Sequence, residues 1–330
     1  MISSARLLNR LYLGYIVAKR SKLQPAVRTM VFNLTNSGTN AYVHDTIDLS
    51  QCASMINRRF YRQGLEWAVA GFTILTTSSG NITISRIPDT WMAHNAWTKT
   101  FHAWKDQQDQ AIDDAGAQSA VARYRDFKIF ADNLHAAAGV AANLKPIDIA
   151  GNPFIVGEWD MSTIVIPNYT APGVNYEPYL NMCGDDIGGA GGSKGLIKGY
   201  ENSRAFPHSP DPVSPDIGSN VNWFQSMFDV GDNFEDVLDN VQDQNDELPY
   251  DQDNYPGGDT NGPYLQVVDE AYMTPTTVGG KTSLSGAVFP CGLIRIRNQS
   301  GDVEGWLSSP RVLVHLVPGR SRGYLTEGMA

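Results

Sequence analysis

"LEWAVAGFTILTTSSGNITISRI", residues 65–87, contains two apolar runs around a short break. Leu65–Thr76 is rich in aromatic and β-branched side chains, which suit the pleated surface of a strand. Ile82, Thr83, Ile84 and Ser85 alternate, so every second side chain falls on one face. The "SSGN" between the runs is turn chemistry, and Pro88 ends the second run. Two strands joined by such a turn predict a β-hairpin.

Upstream, Thr29–Thr35 and Tyr42–Leu49 show the same short alternation. Downstream the period changes: Trp97, Phe101 and Trp104 stand at i, i+4 and i+7, one face of a helix, with Asn95 as its predicted start and Gly116 its end. A second helical piece is expected over Ser119–Arg125. "RDFKIFAD" reads either as a strand or as helix continuing to His135. Val156–Pro167 reads as a strand, and Asn220–Asn245 as a helix with a stripe from Trp223 to Val241. Strands return at Tyr264–Met273, Ser285–Asn298 and Arg311–Pro318. Neither βαβ alternation nor an internal repeat appears. The expected fold is mainly β, a β-sandwich with helical and long-loop insertions near 95–125 and 219–245.

The composition narrows the class. Charged residues make up only 18% of the 330, and Gly (31) and Pro (18) are abundant, which favours turns and long loops. Three distant cysteines without a CxxC argue against a disulfide framework or a cysteine zinc site. No apolar run approaches the about 20 residues of a membrane-spanning helix.

Several motifs are candidates for chemistry. Gly191–Gly195, "GGSKG", matches the GxSxG nucleophile pattern, which needs a strand-to-helix elbow. Here Ser193 follows "GDDIGGAGG", which reads as a flexible loop. The six histidines are scattered, and His315 reads as a strand-face residue. Eleven acids fall within Asp229–Asp259. They read as a solvated helix face, as a Ca²⁺ site, or as a face turned away from nucleic acid. No other cofactor is indicated. "NRRFYRQG", Asn57–Gly64, places Arg58, Arg59 and Arg62 around Phe60 and Tyr61. Guanidinium groups beside rings suit single-stranded nucleic acid; the other reading is a helix end whose aromatics enter the core.

Charge is also unevenly placed. The first 28 residues hold Arg6, Arg10, Lys19, Arg20, Lys22 and Arg28 and no acid, whereas the remaining 302 hold 19 bases against 35 acids. This leader reads as an organellar presequence, an amphipathic helix on an anionic membrane, or a nucleic-acid-binding arm.

From "INRRFYRQG" onward the chain resembles capsid proteins of circular Rep-encoding single-stranded DNA (CRESS-DNA) viruses, the stool- and environment-associated group. The resemblance is carried, in order, by "SRIPDTW", "NAWTKTFHAWKDQQDQAI", "DFKIFAD", "GEWDMSTIVIPN", "SKGLIKGYENSRA", "FDVGDNFEDVLDNVQDQNDELPY", "YPGG", "PCGLIRI" and "VLVHLVPGRSRGYLTEGM". It implies a jelly-roll shell domain over 29–330 preceded by a basic arm over 1–28, and many copies closing an icosahedral virion around single-stranded DNA inside a host cell. It also implies that the arm and the Arg58, Arg59, Arg62 cluster face the DNA; the host receptor is not indicated. Two departures from this expectation follow from other readings of the same residues: a serine hydrolase built on Ser193, and a cellular β-sandwich binding module with an organellar leader. About sixty copies of the leader would bring about 360 positive charges, short of a few thousand phosphates, so other basic residues are expected to contribute.

Overall fold

In the computed structural model, the two strands at the centre of the sequence reading do not pair with each other. The structure describes residues 25–37, 42–120, 125–155, 157–166, 175–188, 192–204, 223–224, 264–301, 306 and 309–329. Strand β1 is Thr29–Asn33, β2 Val43–Asp48, β3 Leu65–Leu75 and β4 Gly80–Arg86. Next come β5 (Phe130–Asp132), β6 (Tyr179–Cys183), β7 (Ser193–Gly195), β8 (Gln266–Met273), β9 (Lys281–Ser285) and β10 (Val288–Phe289). Last are β11 (Leu293–Ser300), β12 (Arg311–Leu316), β13 (Pro318–Gly319), β14 (Gly323–Tyr324) and β15 (Thr326–Gly328). The α-helices among the described residues are α1 (Leu49–Asn57), α2 (Trp91–Asp114), α3 (Asn133–Ala138) and α4 (Leu196–Arg204).

The protein is mainly β. One antiparallel sheet has the order β1-β12-β3-β10, with β9 and β15 also on β3; a second has the order β2-β11-β4-β8. The chain segment 76–79 is therefore not a hairpin turn. It carries the chain from the first sheet to the second. β3 pairs with β12 (Val314 opposite Phe72) and β4 pairs with β11 (Ile296 opposite Ile84). The turn chemistry of "SSGN" fixes a reversal, and the partners are chosen by packing.

The two sheets close one apolar core. Phe32, Phe72, Ile74, Val312 and Val314 from the first share it with Ile47, Ile82, Ile84, Ile294 and Ile296 from the second. The burial pattern of β12, alternating exposed or half-buried with buried, shows how period 2 feeds this core from one face.

Residues between β4 and β8 build a second apolar cluster. Met92, Trp97 and Trp104 of α2 meet Ile164, Leu180, Met182, Leu196 and Phe224 there. Helix α2 starts before the predicted Asn95: Thr90 caps it, accepting from the Ala93 amide at 3.3 Å. It ends as expected at Gly116, whose φ of 63° suits the residue after a helix. The expected helix at Ser119–Arg125 is a short 3₁₀ turn at Gln118–Ala120 where it is described. "RDFKIFAD" takes the strand alternative, ending in β5, and helix α3 follows it. Over its described residues, 157–166, the segment expected as a strand from Val156 to Pro167 is not regular; it forms the bridges Thr163–Tyr179 and Ile166–Tyr176. β5, β6 and β7 make a small parallel sheet that the sequence reading did not anticipate. Ser285–Asn298 is broken at Pro290–Gly292, where Cys291 and Gly292 both take positive φ.

A buried polar network joins this second cluster to the sheets. Asp48 caps α1, accepting from the Ser50 and Gln51 amides at 2.9 and 3.2 Å. Its other oxygen accepts from Gln63 Nε2 and Trp159 Nε1, both at 3.1 Å. Burial pushes its carboxyl up to about 6, against the pull of those four donors. The Gln51 side-chain oxygen accepts from Asn143, whose own oxygen accepts from His135 Nε2 at 2.6 Å. His135 Nδ1 accepts from the Ala131 amide, so the ring is the neutral tautomer with its proton on Nε2. Burial, then the charge of Arg295, pushes His135 down to about 3. Arg295 itself is paired with Asp132, which also caps α3.

Candidate nucleic-acid interface

The Arg58–Arg62 segment follows the end of α1. Arg58 takes φ 53°, ψ 39°, the left-handed cap that turns the chain out of the helix. Alternation then sorts the side chains: Arg58, Phe60 and Arg62 are exposed, whereas Tyr61 and Gln63 are buried. Tyr61 packs against Trp67 and Tyr324 at centroid distances of 5.8 and 5.5 Å. Its hydroxyl donates to the Arg322 carbonyl at 2.9 Å and its amide donates to Ser54 Oγ at 2.9 Å. Gln63 reaches inward to Asp48 and to both backbone groups of Ile129. The core reading of this stretch holds for one of its two aromatic residues. Tyr61 enters the core, and Phe60 stays 40% exposed between arginines.

Two distant pieces of chain join this segment. The N-terminal segment of residues 25–28 runs beside it: Arg59 Nη1 donates to the Pro25 carbonyl at 3.1 Å, and the Val27 amide donates to Asn57 Oδ1 at 3.1 Å. The Tyr324 hydroxyl donates to the Val27 carbonyl at 2.7 Å and accepts from Asn57 Nδ2 at 2.7 Å. Burial holds this phenol up at about 12, so it stays a donor. The second piece is the turn between β13 and β14, "GRSRG". Arg322 takes φ 51°, its amide donates to the Arg320 carbonyl at 3.1 Å, and its guanidinium donates to the Phe60 carbonyl. Arg320 and Arg322 are both exposed.

Arg62 and Arg322 line one cavity with Phe60, Arg58 and Arg59 lie in the same segment, and Arg28 and Arg320 lie on the adjoining N-terminal segment and turn. Arg28 is exposed, and its carbonyl accepts from the Leu316 amide at 2.7 Å. The acids of this part of the sheet face the other way. Glu66 and Glu327 lie opposite each other on β3 and β15, one position along from Leu65, and Glu66 meets His94 at 3.3 Å. A cavity of about 220 Å³ opens between Phe60, Tyr61, Arg62, Leu65, Ser321 and Arg322. Arg320 and Arg322 were not selected from the sequence. The signal was an R-x-R between glycines, followed by an aromatic residue, but nothing local ties it to a segment some 260 positions away.

Of the sequence-selected bases, Arg58, Arg59 and Arg62 lie in this segment and Arg28 in the N-terminal stretch bonded to it. Arg6, Arg10, Lys19, Arg20 and Lys22 lie outside the described residues. So do the Asp229–Asp259 acids and most of the Asn220–Asn245 segment. Among the described residues no group of three or more His, Cys, Asp or Glu side chains is placed to hold a metal ion. Nor is any described helix long and apolar enough to cross a membrane.

Ser193 is not in a loop. It opens β7, which runs directly into α4, so the strand-to-helix step of a nucleophile elbow is present. Its hydroxyl, however, is fully buried and has no hydrogen-bond partner. A serine nucleophile needs a base within hydrogen-bond reach and an open side toward substrate. The buried His135 has both ring nitrogens committed, to Ala131 and Asn143. His315 is, as expected, a strand-face residue, bonded to Thr29 and Thr73.

No protein-family model, curated protein or solved structure matches this chain.

Proposed function

We propose that this chain is a structural capsid protein, a jelly-roll subunit that assembles with copies of itself into an icosahedral shell and packages single-stranded DNA. The observation that carries the reading is the strand order. Taking β9 and β10 together as one broken strand, eight strands fall into two sheets of four, β1-β12-β3-β9/β10 and β2-β11-β4-β8. The chain changes sheet at every step except β4 to β8. That order supports a jelly roll, two interlocked Greek keys. The long excursion with α2 and the parallel β5-β6-β7 sheet sits at the single step that stays within a sheet.

Jelly rolls serve several functions, so the fold alone does not choose one. Two features favour a shell. One is the ordered run of sequence stretches that resemble CRESS-DNA virus capsid proteins. The other is the segregation of charge: an acidic chain, net −10, carries an arginine surface where its basic leader joins the body. Arginines beside an exposed ring suit a polynucleotide, with charge for phosphates and π-faces for bases. On this reading the protein resides in the virion, and in the host cell interior during assembly.

Purified protein examined by size-exclusion chromatography and negative-stain imaging is expected to give closed shells that protect DNA from nuclease. A monomer that stays dispersed across salt and pH, with no protected DNA, would overturn the proposal.

A further inference from the structure

We propose that the cavity between the Phe60–Leu65 segment and the Ser321–Arg322 turn is a base-binding subsite. It seats one unpaired base of single-stranded nucleic acid, with the flanking phosphates on Arg62 and Arg322. This rests on the capsid reading and adds to it a defined place for a base, where the reading itself needs only charge.

The walls specify the ligand class. Phe60 offers an exposed ring, Leu65 an apolar side, and Tyr61 a buried floor fixed by its bond to the Arg322 carbonyl. A site for phosphate alone would be lined by N–H donors, as in a nest or a helix N-terminus. Three apolar or aromatic walls ask for a flat apolar-faced group. Two arginines on the rim ask for anions on either side of it. Ser321 supplies a hydroxyl for an edge of the ring.

Size narrows it further. Drug-sized ligands occupy sites of about 300–1,000 Å³. The 220 Å³ here accommodates one heterocycle and leaves the sugar and phosphates outside, over the arginines. A base in a duplex is stacked between neighbours and does not reach such a cavity, so the ligand is single-stranded.

Geometry also fixes the rim. Arg322 is held by donation to the Phe60 carbonyl and by its own left-handed backbone, so its guanidinium is positioned before any ligand arrives. The alternation of β3 turns Glu66 away from the cavity, and its cross-strand partner Glu327 shares that opposite face. The anion is therefore not opposed by the nearest carboxylates on β3 and β15.

The test compares two fluorescent ten-nucleotide strands, oligo-dT and a fully abasic strand of equal charge, binding to the full-length protein at fixed salt. The wild type is expected to bind oligo-dT about tenfold more tightly, the scale of stacking one base on an aromatic ring. Phe60→Ala removes that preference, bringing oligo-dT down to the affinity of the abasic strand measured on the same variant. Arg62→Gln weakens both strands alike. In the unmodified protein, a 5-iodo-deoxyuridine strand is expected to crosslink within residues 60–65 or 321–322. Equal binding of both strands by the wild type, a preference that survives Phe60→Ala, or crosslinks confined elsewhere would overturn the subsite while leaving charge-based packaging intact. Failure of the wild type to bind either strand would overturn the packaging reading and the subsite together.

Discussion

Asp48 and His135 sit at opposite ends of one buried chain of hydrogen bonds through Gln51 and Asn143, and their titrations oppose each other. Asp48 stands at about 6, above the ordinary 3.8. The folded protein keeps this proton where the unfolded chain has lost it, so this contribution to stability falls as pH rises from about 4 to about 6. His135 stands at about 3, below the ordinary 6.5. The unfolded chain holds that proton where the folded protein does not, so this contribution rises with pH between about 3 and 6.5. Over their shared window the slopes cancel, each worth about 1.4 kcal/mol per pH unit at most. His135→Gln is expected to gain stability relative to wild type as pH falls from 6 to 4; Asp48→Asn is expected to lose it. Urea unfolding at pH 4, 5, 6 and 7 reads both differences. Curves that stay parallel for all three proteins would remove the pair from the pH dependence. None of this was legible in the sequence. "IDLSQ" announces a helix cap in Asp48, but its burial comes from Trp159 and Gln63, which the chain brings in from 111 and 15 positions away.

Elements were more legible than their partners. Alternation and β-type composition place β1, β2, β3, β4, β8 and β12 within about two residues, because both signals are local. Pairing is not local: β11 joins β2 and β4 across more than 200 positions, and only the shared core of both sheets decides it. The same limit explains the mistaken hairpin. "SSGN" satisfies any chain reversal, whether the next strand returns beside the last or crosses to another layer. Helix α2 shows the opposite case. Its apolar stripe gave its existence, while Trp97 drew the predicted start inward to Asn95, past the true cap at Thr90. Thr90 Oγ1 holds one of the four amides that a helix start leaves open. Thr90→Ala is expected to cost about 1 kcal/mol. Thr90→Ser, which keeps the hydroxyl, is expected to recover most of that in thermal unfolding. Equal loss in both variants would mean that the methyl packing, not the cap, matters. The arginine surface follows the rule of the strands. Arg58, Arg59 and Arg62 lie within five positions of one another, so the sequence alone groups them; Arg322 reaches Phe60 only through the β13–β14 turn.

At the scale of the whole molecule, the proposed packaging role asks an acidic protein to keep its bases together, and residues 25–28 of the basic leader bond to the segment that carries Arg58, Arg59 and Arg62. Residues 25–28 belong to the body: Pro25 and Val27 bond to Arg59, Asn57 and Tyr324, and the Arg28 carbonyl accepts from β12. Residues 1–24 can therefore be removed without touching those bonds, whereas a deletion through residue 28 would also strip the edge of β1. This separates two sources of charge, five bases in the leader and six arginines on the body. Binding to single strands loses affinity with salt at about −0.7 in log–log slope for each phosphate neutralised. Deleting residues 1–24 is expected to flatten the slope by up to about 3.5, and Arg58→Gln, Arg62→Gln and Arg320→Gln together by about 2. Shell yield should fall less than DNA content in the deletion, because the described strands and the core they enclose begin after residue 24. If the deletion removes shells and DNA in equal measure, the leader is needed to build the wall. If the triple variant leaves the salt slope unchanged, the DNA does not lie on the surface around Phe60. The two proteins thus measure separately the tail's charge and the body's, and their combined loss bounds what all other bases supply.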